Sequence, residues 1–184
     1  GIGAGHAQAE FELLGVDFHS RGKALDVGVP ELAKLLENEF VDGFGARPLP
    51  TQSPRPPIWV AGSSPAAIKR AARVADGWLP QGPTDASMVE LLNEERARVG
   101  RSPSANDGFM IGHITPFLYV GKPSFDVGEA TLSGSAQSIA ERILEGTATG
   151  VNQLQVRFKA QSCDELCDQI AAFASEVAPL VTTI

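Results

Sequence analysis

The sequence predicts an α/β protein built on parallel β-strands. Short apolar runs alternate with longer segments of helical period, this alternation repeats about five times, and a Pro- and Gly-rich loop at 40–57 interrupts it only once. Strict alternation of strand and helix needs crossover connections, which give parallel strands covered by helices. The pattern fits both an open doubly wound sheet and a (β/α)₈ barrel, and by itself it does not choose between them.

The part of the chain before the loop predicts one strand end and two helices. GIGAG (1–5) is typical of a strand that ends in glycines, and a helical stretch follows to about residue 14. A second helix is predicted over 22–38, with an irregular middle at Gly28 and Pro30 because proline removes a backbone donor.

The loop at 40–57 is interpreted as an insertion inside a single domain of residues 1–184, because the β/α alternation resumes after it. Four apolar runs are then each followed by a helical pattern. The predicted strands are PIWVAG (57–62), DGWLPQ (76–81), GFMIGHITPFLYVG (108–121) and VNQLQVRF (151–158), and the predicted helices are 64–75, 85–100, 135–150 and 163–180.

Three of these helices carry local signals. In the first, Ala67, Ile68, Ala71, Ala72 and Ala75 form an apolar stripe at helical spacing. Gly100 is the predicted C-terminal cap of the second. Ser162 and Glu165 form an S-x-x-E capping box, which predicts the start of the last helix.

Composition excludes several classes of function. The chain has 184 residues, 43% of them hydrophobic, and a formal net charge of −7, so we expect an acidic surface that does not bind nucleic acid. No apolar run approaches the roughly 20 residues that span a bilayer, and GIGAGHAQAE has neither a basic n-region nor an apolar h-region, so we expect a cytoplasmic protein. Cys163 and Cys167 stand one helical turn apart and are expected to stay reduced, with no metal site.

GIGAG (1–5) superficially resembles a dinucleotide-binding fingerprint. His6 stands where G-x-G-x-x-G requires glycine, and no acidic residue ends a second strand at the expected distance, which argues against that fold. The glycines Gly3 and Gly5, with Ala4 between them, would let a planar or phosphorylated ligand approach the backbone. The alternative is an ordinary tight turn.

IWVAGSSPAAIKRAA (58–72) is the most informative segment. A buried strand ends at Ala61 and Gly62, Ser63 and Ser64 follow, and Pro65 occupies an early helical position where its missing N–H costs nothing. Backbone amides, two hydroxyls and the positive end of a helix converge there, which favours phosphate binding. The alternative is an ordinary serine N-cap.

In QLQVRF (153–158) the alternation places Leu154, Val156 and Phe158 on one face and Gln153, Gln155 and Arg157 on the other. The apolar face would pack against helices. The polar face, which ends in Arg157, predicts a wall that lines a ligand, and the alternative is an edge strand with one solvated face.

Two further residues are singled out. Trp78, beside a strand end, is interpreted as core, although it could also wall a cofactor pocket. His6 follows a glycine-rich strand end and is the one histidine whose position indicates chemistry; it is a candidate proton donor, against the alternative of a merely structural or exposed side chain. The P-loop and G-x-S-x-G patterns are absent.

Three segments together resemble the luciferase-like monooxygenase family, which includes bacterial luciferase and the deazaflavin-dependent oxidoreductases. They are GIGAGHAQAEFELLGVDFHSRGKALD (1–26), RPPIWVAGSSPAAIKRAARVADGWLP (55–80) and SIAERILEGTATGVNQLQVRF (138–158). The resemblance implies a (β/α)₈ barrel with the cofactor at its C-terminal mouth, of which this chain corresponds to about strands 4–8.

The resemblance also implies roles for residues. GAG (3–5) would end the fourth barrel strand beside the cofactor, Ala61 and GSS (62–64) would hold its phosphate, and Arg157 would end the eighth strand facing cofactor or substrate. Many members have Trp or Glu where this chain has His6, and the loop at 40–57 is shorter than the usual insertion.

The function implied is a flavin- or deazaflavin-dependent oxidoreductase or monooxygenase acting on a small molecule by hydride transfer or oxygen activation. Coenzyme F420, a deazaflavin, is preferred because the motif spellings are closer to that branch, and FMN is the alternative. A second hypothesis is a non-catalytic remnant that keeps a phosphate site as a binding or assembly module; a third is another phosphate-binding barrel enzyme without flavin. Because about five strands cannot close an eight-stranded barrel, we expect either a homo-oligomer, most simply a dimer, or a longer polypeptide whose first half of the barrel is not represented in this sequence.

Overall fold

The computed structural model describes residues 1–101 and 108–181, which divide into two compact units. The first unit contains Gly1–Gln81 and the stretch from Ser87 to Ile111. The second contains Gly82–Ala86 and the chain from Gly112 onward. The expectation of a single domain stays a prediction.

The predicted helices and the four strands after the loop are present with small changes of their ends, and β4, a 3₁₀ turn and a π-helical turn are additional. In chain order they are α1 (Gln8–Leu13), a 3₁₀ turn (Phe18–Ser20), α2 (Arg21–Leu36), β1 (Trp59–Ala61), α3 (Pro65–Val74), β2 (Gly77–Leu79), α4 (Ala86–Arg98), β3 (Met110–Val120), β4 (Leu132–Gly134), α5 (Ala136–Gly146), β5 (Gln153–Phe158), α6 (Cys163–Ala172), a π-helical turn (Phe173–Val177) and α7 (Ala178–Val181).

The strands of the first unit are parallel, as predicted. β1 pairs with β2, and β2 pairs with the beginning of β3. The predicted strand end GIGAG is reduced to a single parallel bridge between Ile2 and Val60. Two hydrogen bonds of 2.8 Å hold it, from the Ile2 amide to the Trp59 carbonyl and from the Ala61 amide to the Ile2 carbonyl.

Helix α3 covers these strands with its apolar stripe, and every residue of the predicted stripe is buried. Val60 of β1 and Trp78 of β2, which are register partners and so point to one face, are fully buried with them. Arg70 on α3 donates to the Asp26 carboxylate of α2 at 2.8 Å, and this partly buried ion pair ties the two helices together. The core of the first unit therefore lies between the strands and α3.

The end of the Pro- and Gly-rich loop is fixed by a half-buried ion pair. Arg55 donates to both carboxylate oxygens of Asp76, at 2.5 and 3.3 Å, and the Ile58 amide donates to the same carboxylate at 2.7 Å. Burial raises the pKa of Asp76, but these hydrogen bonds outweigh burial and leave the pKa lowered. The loop thus enters β1 at a defined position.

In the second unit, β3 pairs in parallel with β4 on one side and with β5 on the other. Its core is formed by buried residues of β3, β4, α5, the π-helical turn and α7, and the apolar side chains of β5 pack against it. They are Leu118, Leu132, Ile139, Ala140, Ile143, Val177 and Val181, with Leu154, Val156 and Phe158 from β5. The predicted division of β5 into an apolar helix-facing side and a polar side is confirmed.

The capping predictions are also confirmed. The Glu165 amide donates to the Ser162 hydroxyl at 3.1 Å at the start of α6. Gly100 follows α4 with a φ of +77°, and the Arg101 amide donates to the Arg96 carbonyl at 2.8 Å, which closes the last turn.

The elements differ from the predictions in three places. Helix α2 has no irregular middle, since it continues from Arg21 through Pro30 to Leu36. β4 was not predicted, because three residues of sequence LSG carry too little periodicity. The last helical segment changes to a π-helical turn at Phe173–Val177 before α7. Among the described residues, no helix is both long enough and apolar enough to cross a membrane.

Candidate functional site

The turn from β1 into α3, residues 62–66, is here named the β1–α3 corner. Gly62 has a φ of +128°, a conformation that strongly favours glycine. Its carbonyl accepts a hydrogen bond of 2.8 Å from the Trp78 indole, and its amide donates to the Leu79 carbonyl at 3.0 Å. A Cβ at Gly62 would stand 2.9 Å from the Cβ of Ala67, so a larger residue does not fit without movement.

The two serine hydroxyls of the corner serve the fold. The Ser64 hydroxyl accepts from the Ala67 amide at 3.3 Å and is an ordinary N-cap of α3. The Ser63 hydroxyl accepts from the Gln81 amide at 2.9 Å and donates to its carbonyl at 3.3 Å, which joins the ends of β1 and β2. Both hydroxyls therefore have partners within the first unit.

The backbone amides of the corner are the groups left for a ligand. Among the described residues, no protein acceptor takes the amide hydrogens of Ser63, Ser64 or Ala66. Ser64 and Ala66 are exposed, and the amides lie at the positive end of the ten-residue helix α3. Several outward amides at a helix N-terminus form a site for an anion such as phosphate.

The first glycine segment lies beside this strand end. The bridge from Ile2 to β1 brings Gly3 next to Ala61, so that a Cβ at Gly3 would be 3.9 Å from the Ala61 Cβ. Gly5 has a φ of +76°, and a Cβ there would be 2.9 Å from the Phe11 ring. The first unit thus brings Gly3 and Ala61 together at neighbouring strand ends.

His6 and Ala4 carry less structural information. His6 lies between the Ile2 bridge and α1 and is exposed, while Ala4 is half-buried. No hydrogen bond from a described residue fixes the His6 ring. The proposed proton-donor role of His6 stays a prediction.

Trp78 is fully buried, so its interpretation as core is confirmed. Its contribution to the corner is the hydrogen bond to the Gly62 carbonyl, which the sequence did not indicate. The indole N–H of a buried tryptophan normally finds such a partner, and a strand-end carbonyl across the neighbouring strand supplies it here.

Arg157 lies in the second unit, on the face of β5 that points away from the helices. The pairing of β3 with β5 is irregular between Ile114 and Phe117. At this bulge the Thr115 carbonyl accepts from Nε and Nη2 of Arg157, at 3.1 and 2.7 Å. The guanidinium is therefore held in one orientation by a backbone group, as bulges near sites often arrange.

A buried histidine of the second unit was missed by the sequence reasoning. His113 of β3 is only 3% exposed, and its Nδ1 accepts from the Thr84 amide at 3.2 Å. The Thr84 hydroxyl donates to the Gly112 carbonyl at 2.7 Å, so both groups of Thr84 hold segment 82–86 to β3. Burial lowers the pKa of His113, and the ring borders a cavity of about 400 Å³ with Thr115 and Ile143.

Of the predicted site residues, the structure brings together Gly3, Ala61, Gly62, Ser63 and Ser64. Arg157 belongs to the second unit. The described residues contain no group of three or more His, Cys, Asp or Glu arranged to hold a metal ion.

Comparison with known proteins shows the family of the chain. The family model for luciferase-like monooxygenases matches residues 1–124. An uncharacterized protein of Mycobacterium bovis and an uncharacterized protein of Mycobacterium tuberculosis are each 35% identical over 110 residues, which is 55% of this chain. The chain spans 36% of the length of these curated relatives.

Solved structures agree in fold. Monooxygenase RslO1 from Streptomyces bottropensis is 17% identical, with a TM-score of 0.64 over 96% of this chain and 67% of its own. An F420-dependent secondary alcohol dehydrogenase, solved with an F420-acetone adduct, is 15% identical, with a TM-score of 0.70 over 97% and 68%. The coenzyme F420 dependent tetrahydromethanopterin reductase from Methanopyrus kandleri is 16% identical, with a TM-score of 0.60 over 96% and 72%.

The likeness to these structures confirms the parallel α/β fold, as part of a (β/α)₈ barrel, and the family match covers two thirds of the sequence. The chain therefore belongs to the luciferase-like monooxygenase family.

Proposed function

We propose that this chain is part of a flavin- or deazaflavin-dependent oxidoreductase that acts on a small molecule, with coenzyme F420 preferred over FMN. The observation that carries the proposal is the β1–α3 corner. Three amides that have no acceptor among the described residues lie there at the N-terminus of α3, beside a glycine whose Cβ position is blocked by Ala67. The preference for F420 is supported by the two F420-dependent enzymes among its structural relatives.

The corner fits the phosphate of such a cofactor. The amides of Ser63, Ser64 and Ala66 would donate to phosphate oxygens. Gly62 is required for the turn that presents them, because its φ is +128° and a Cβ there would meet Ala67. Gly3, Ala4 and Gly5, beside Ala61, would lie along the edge of the ring system, since glycine allows a planar group to lie near the backbone. When bound, the cofactor supplies hydride or activates oxygen.

The remaining proposed roles concern charge and protons. Arg157, held by the Thr115 carbonyl, would face an anionic group of cofactor or substrate. His6, which is exposed, would donate a proton to the substrate. These roles are proposals that follow from the family and from the positions of the two side chains.

The corner is tested by placing a negative charge where the phosphate would bind. Gly62→Asp should abolish cofactor binding, but it also strains the backbone, so Ala66→Asp is the sharper variant. Ala66 is exposed in the first turn of α3. A carboxylate added there would stabilise the helix through its dipole and would repel a phosphate by its negative charge. We expect Ala66→Asp to weaken F420 and FMN affinity at least about tenfold in fluorescence titrations.

The matched control is Gln137→Asp, at the equivalent exposed position in the first turn of α5. It should leave cofactor affinity unchanged. Unchanged affinity in Ala66→Asp, with the fold verified by circular dichroism, would remove the corner from the cofactor site.

A second candidate function is a non-catalytic module that keeps the phosphate site. The observation that favours it is the β1–α3 corner itself, since its amides need no reacting group beside them to hold an anion. Cofactor that binds at the corner but supports no turnover with added substrates would favour this alternative over the enzyme.

We also propose a homo-oligomer. Leu13 is 87% exposed and Leu14 75% exposed, and Phe40 and Phe44 are exposed as well, which is apolar surface that association would cover. Light scattering that gives the mass of a monomer would contradict this proposal.

A further inference from the structure

Two positive side chains of the second unit share one exposed aromatic ring. The guanidinium carbon of Arg157 is 4.6 Å from the centre of the Phe117 ring, and Nζ of Lys159 is 4.4 Å from the same centre. Phe117 is 37% exposed, unlike its neighbour Leu118, which is fully buried. Arg157 and Lys159 are named the cation pair below.

The register of β3 and β5 explains why these side chains meet. Phe117 is the register partner of Arg157, so both point to the same face of the strand pair. Lys159 is two residues further along, and its amide donates to the Leu118 carbonyl at 3.0 Å, which continues the pairing past the end of β5. The period of two therefore places Lys159 on the face of Arg157.

The Arg157 side chain is oriented in advance. Its Nε and Nη2 both donate to the Thr115 carbonyl at the bulge, while no described residue accepts from its Nη1. The outer edge of the guanidinium, formed by Nη1 and Nη2, thus remains able to donate in the paired geometry that carboxylate and phosphate oxygens accept.

No carboxylate compensates the cation pair within the described residues, where neither Arg157 nor Lys159 takes part in an ion pair. This contrasts with the first unit, where Arg55 and Arg70 each have a carboxylate partner. Two like charges held beside one ring repel each other. A bound anion would attract both of them and so offset that repulsion. In a chain of net charge −7, such a local excess of positive charge is selective for anions.

We propose that Arg157, Lys159 and Phe117 form a binding site for a carboxylate or phosphate group of a small molecule. The guanidinium supplies two directed donors, the ammonium supplies a second charge, and the ring of Phe117 keeps the two cations together. The proposal deepens the anion-facing role given to Arg157 in the proposed function, and it adds Lys159 as a residue that selects for anionic ligands.

The experiment uses the chain as it stands, with inorganic phosphate and acetate as separate probes. Side-chain NMR follows the Nε–H signal of Arg157 and the ring signals of Phe117 during each titration. We expect saturable shifts at both residues. Lys159→Gln should lower the affinity for the more tightly bound probe about fivefold to tenfold, because one charged contact is lost. Preference for phosphate or for acetate then decides which of the two groups the site takes.

The control is Lys122→Gln, which removes another lysine of the second unit outside the β3–β5 pairing and should leave both titrations unchanged. Shifts that do not saturate, or an equal loss in Lys122→Gln and Lys159→Gln, would overturn the proposal, because the effect would then be general charge screening.

The outcome is separable from that of the cofactor proposal. If Ala66→Asp leaves F420 and FMN affinity unchanged while phosphate or acetate saturates Arg157, the cofactor site fails and the anion site stands. If Ala66→Asp abolishes cofactor binding while neither probe saturates Arg157, the cofactor site stands and the anion site is wrong.

Discussion

The chain makes nearly the same turn twice, once in each unit. In the first unit β1 ends at Ala61, Gly62 and Ser63 follow, and Ser64 caps α3. In the second unit β4 ends at Gly134 and the next residue, Ser135, caps α5. The two glycines have φ values of +128° and +132°, and the two serines have ψ values of 149° and 154°. Each serine hydroxyl accepts the amide of the residue three positions later at 3.3 Å.

The surroundings of the two glycines differ. Gly62 is enclosed by packing, since its carbonyl binds the Trp78 indole and a Cβ would be 2.9 Å from Ala67. Gly134 exchanges two backbone hydrogen bonds with Gly121, at 2.7 and 3.2 Å, and a Cβ there would meet nothing within 4 Å. The positive φ thus favours glycine in both turns, whereas packing against Ala67 requires glycine only in the β1–α3 corner.

The largest expected effect is the loss of stability when the glycine of each turn is replaced by alanine. Gly62→Ala combines an unfavourable φ with a steric conflict and should lower the free energy of unfolding by about 3 kcal/mol. Gly134→Ala has the unfavourable φ alone and should cost about 1 kcal/mol. Urea unfolding of both variants measures the difference, and equal costs would contradict the distinction drawn between the two turns.

The next effect concerns the hydrogen bond that closes the first turn. Trp78→Phe keeps an aromatic ring but leaves the Gly62 carbonyl without its indole donor, which should cost about 2 kcal/mol. Trp59→Phe is the matched control, because Trp59 is only half-buried and no hydrogen bond of its indole is part of the corner. A cost for Trp78→Phe no larger than for Trp59→Phe would show that the bond does not stabilise the turn.

Local patterns explain what could be predicted from the sequence. The apolar stripe of α3, the Ser162 cap and the two faces of β5 all depend on residues within a few positions of one another. Periodicity and capping rules act at that range, so these elements were found. The residue types at the β1–α3 corner were likewise recognisable, because strand, glycine, serine and proline follow one another directly.

What escaped prediction depends on partners distant in sequence. The bond of Ser63 to Gln81 spans 18 positions, that of Thr84 to His113 spans 29, and that of Arg157 to Thr115 spans 42. The last bond also needs a bulge in β3. Pro116 is a local signal for that bulge, since proline within a strand is found at edges or bulges, but it does not identify Arg157 as the partner. The continuity of α2 through Pro30 shows the same limit, because tertiary packing overrides a local preference.

The stability of the two units should also respond differently to a fall in pH. His113 of the second unit has a pKa below its usual 6.5 because it is buried, so the unfolded chain binds a proton more readily than the folded one. Stability from this group is complete above about pH 6.5 and falls as the pH decreases below that value. Asp76 of the first unit has a pKa below its ordinary value of 3.8. The stability that its ionised carboxylate contributes is therefore lost only as the pH falls below about 3.8.

Urea midpoints measured between pH 7 and pH 5 test this difference. His113→Gln should flatten the decline, because the neutral side chain has no proton to gain. His6→Gln, at an exposed histidine of the first unit, is the control. If stability still declines to the same extent in His113→Gln, other titrating groups cause the decline. The charged side chains beside the His113 cavity, Arg142 and Glu145 of α5, are the next to examine.

The smallest difference is expected between the two serine caps. Ser64→Ala and Ser135→Ala each remove one hydroxyl acceptor of equal geometry from an exposed helix start, and each should cost about 1 kcal/mol in urea unfolding. Because the Ser64 hydroxyl is already used by the Ala67 amide, its loss should leave cofactor affinity close to that of the wild type, whereas Ala66→Asp weakens it. A Ser64→Ala variant that loses stability like Ser135→Ala but also loses cofactor affinity would show that the hydroxyl, and not only the backbone amides, binds the phosphate.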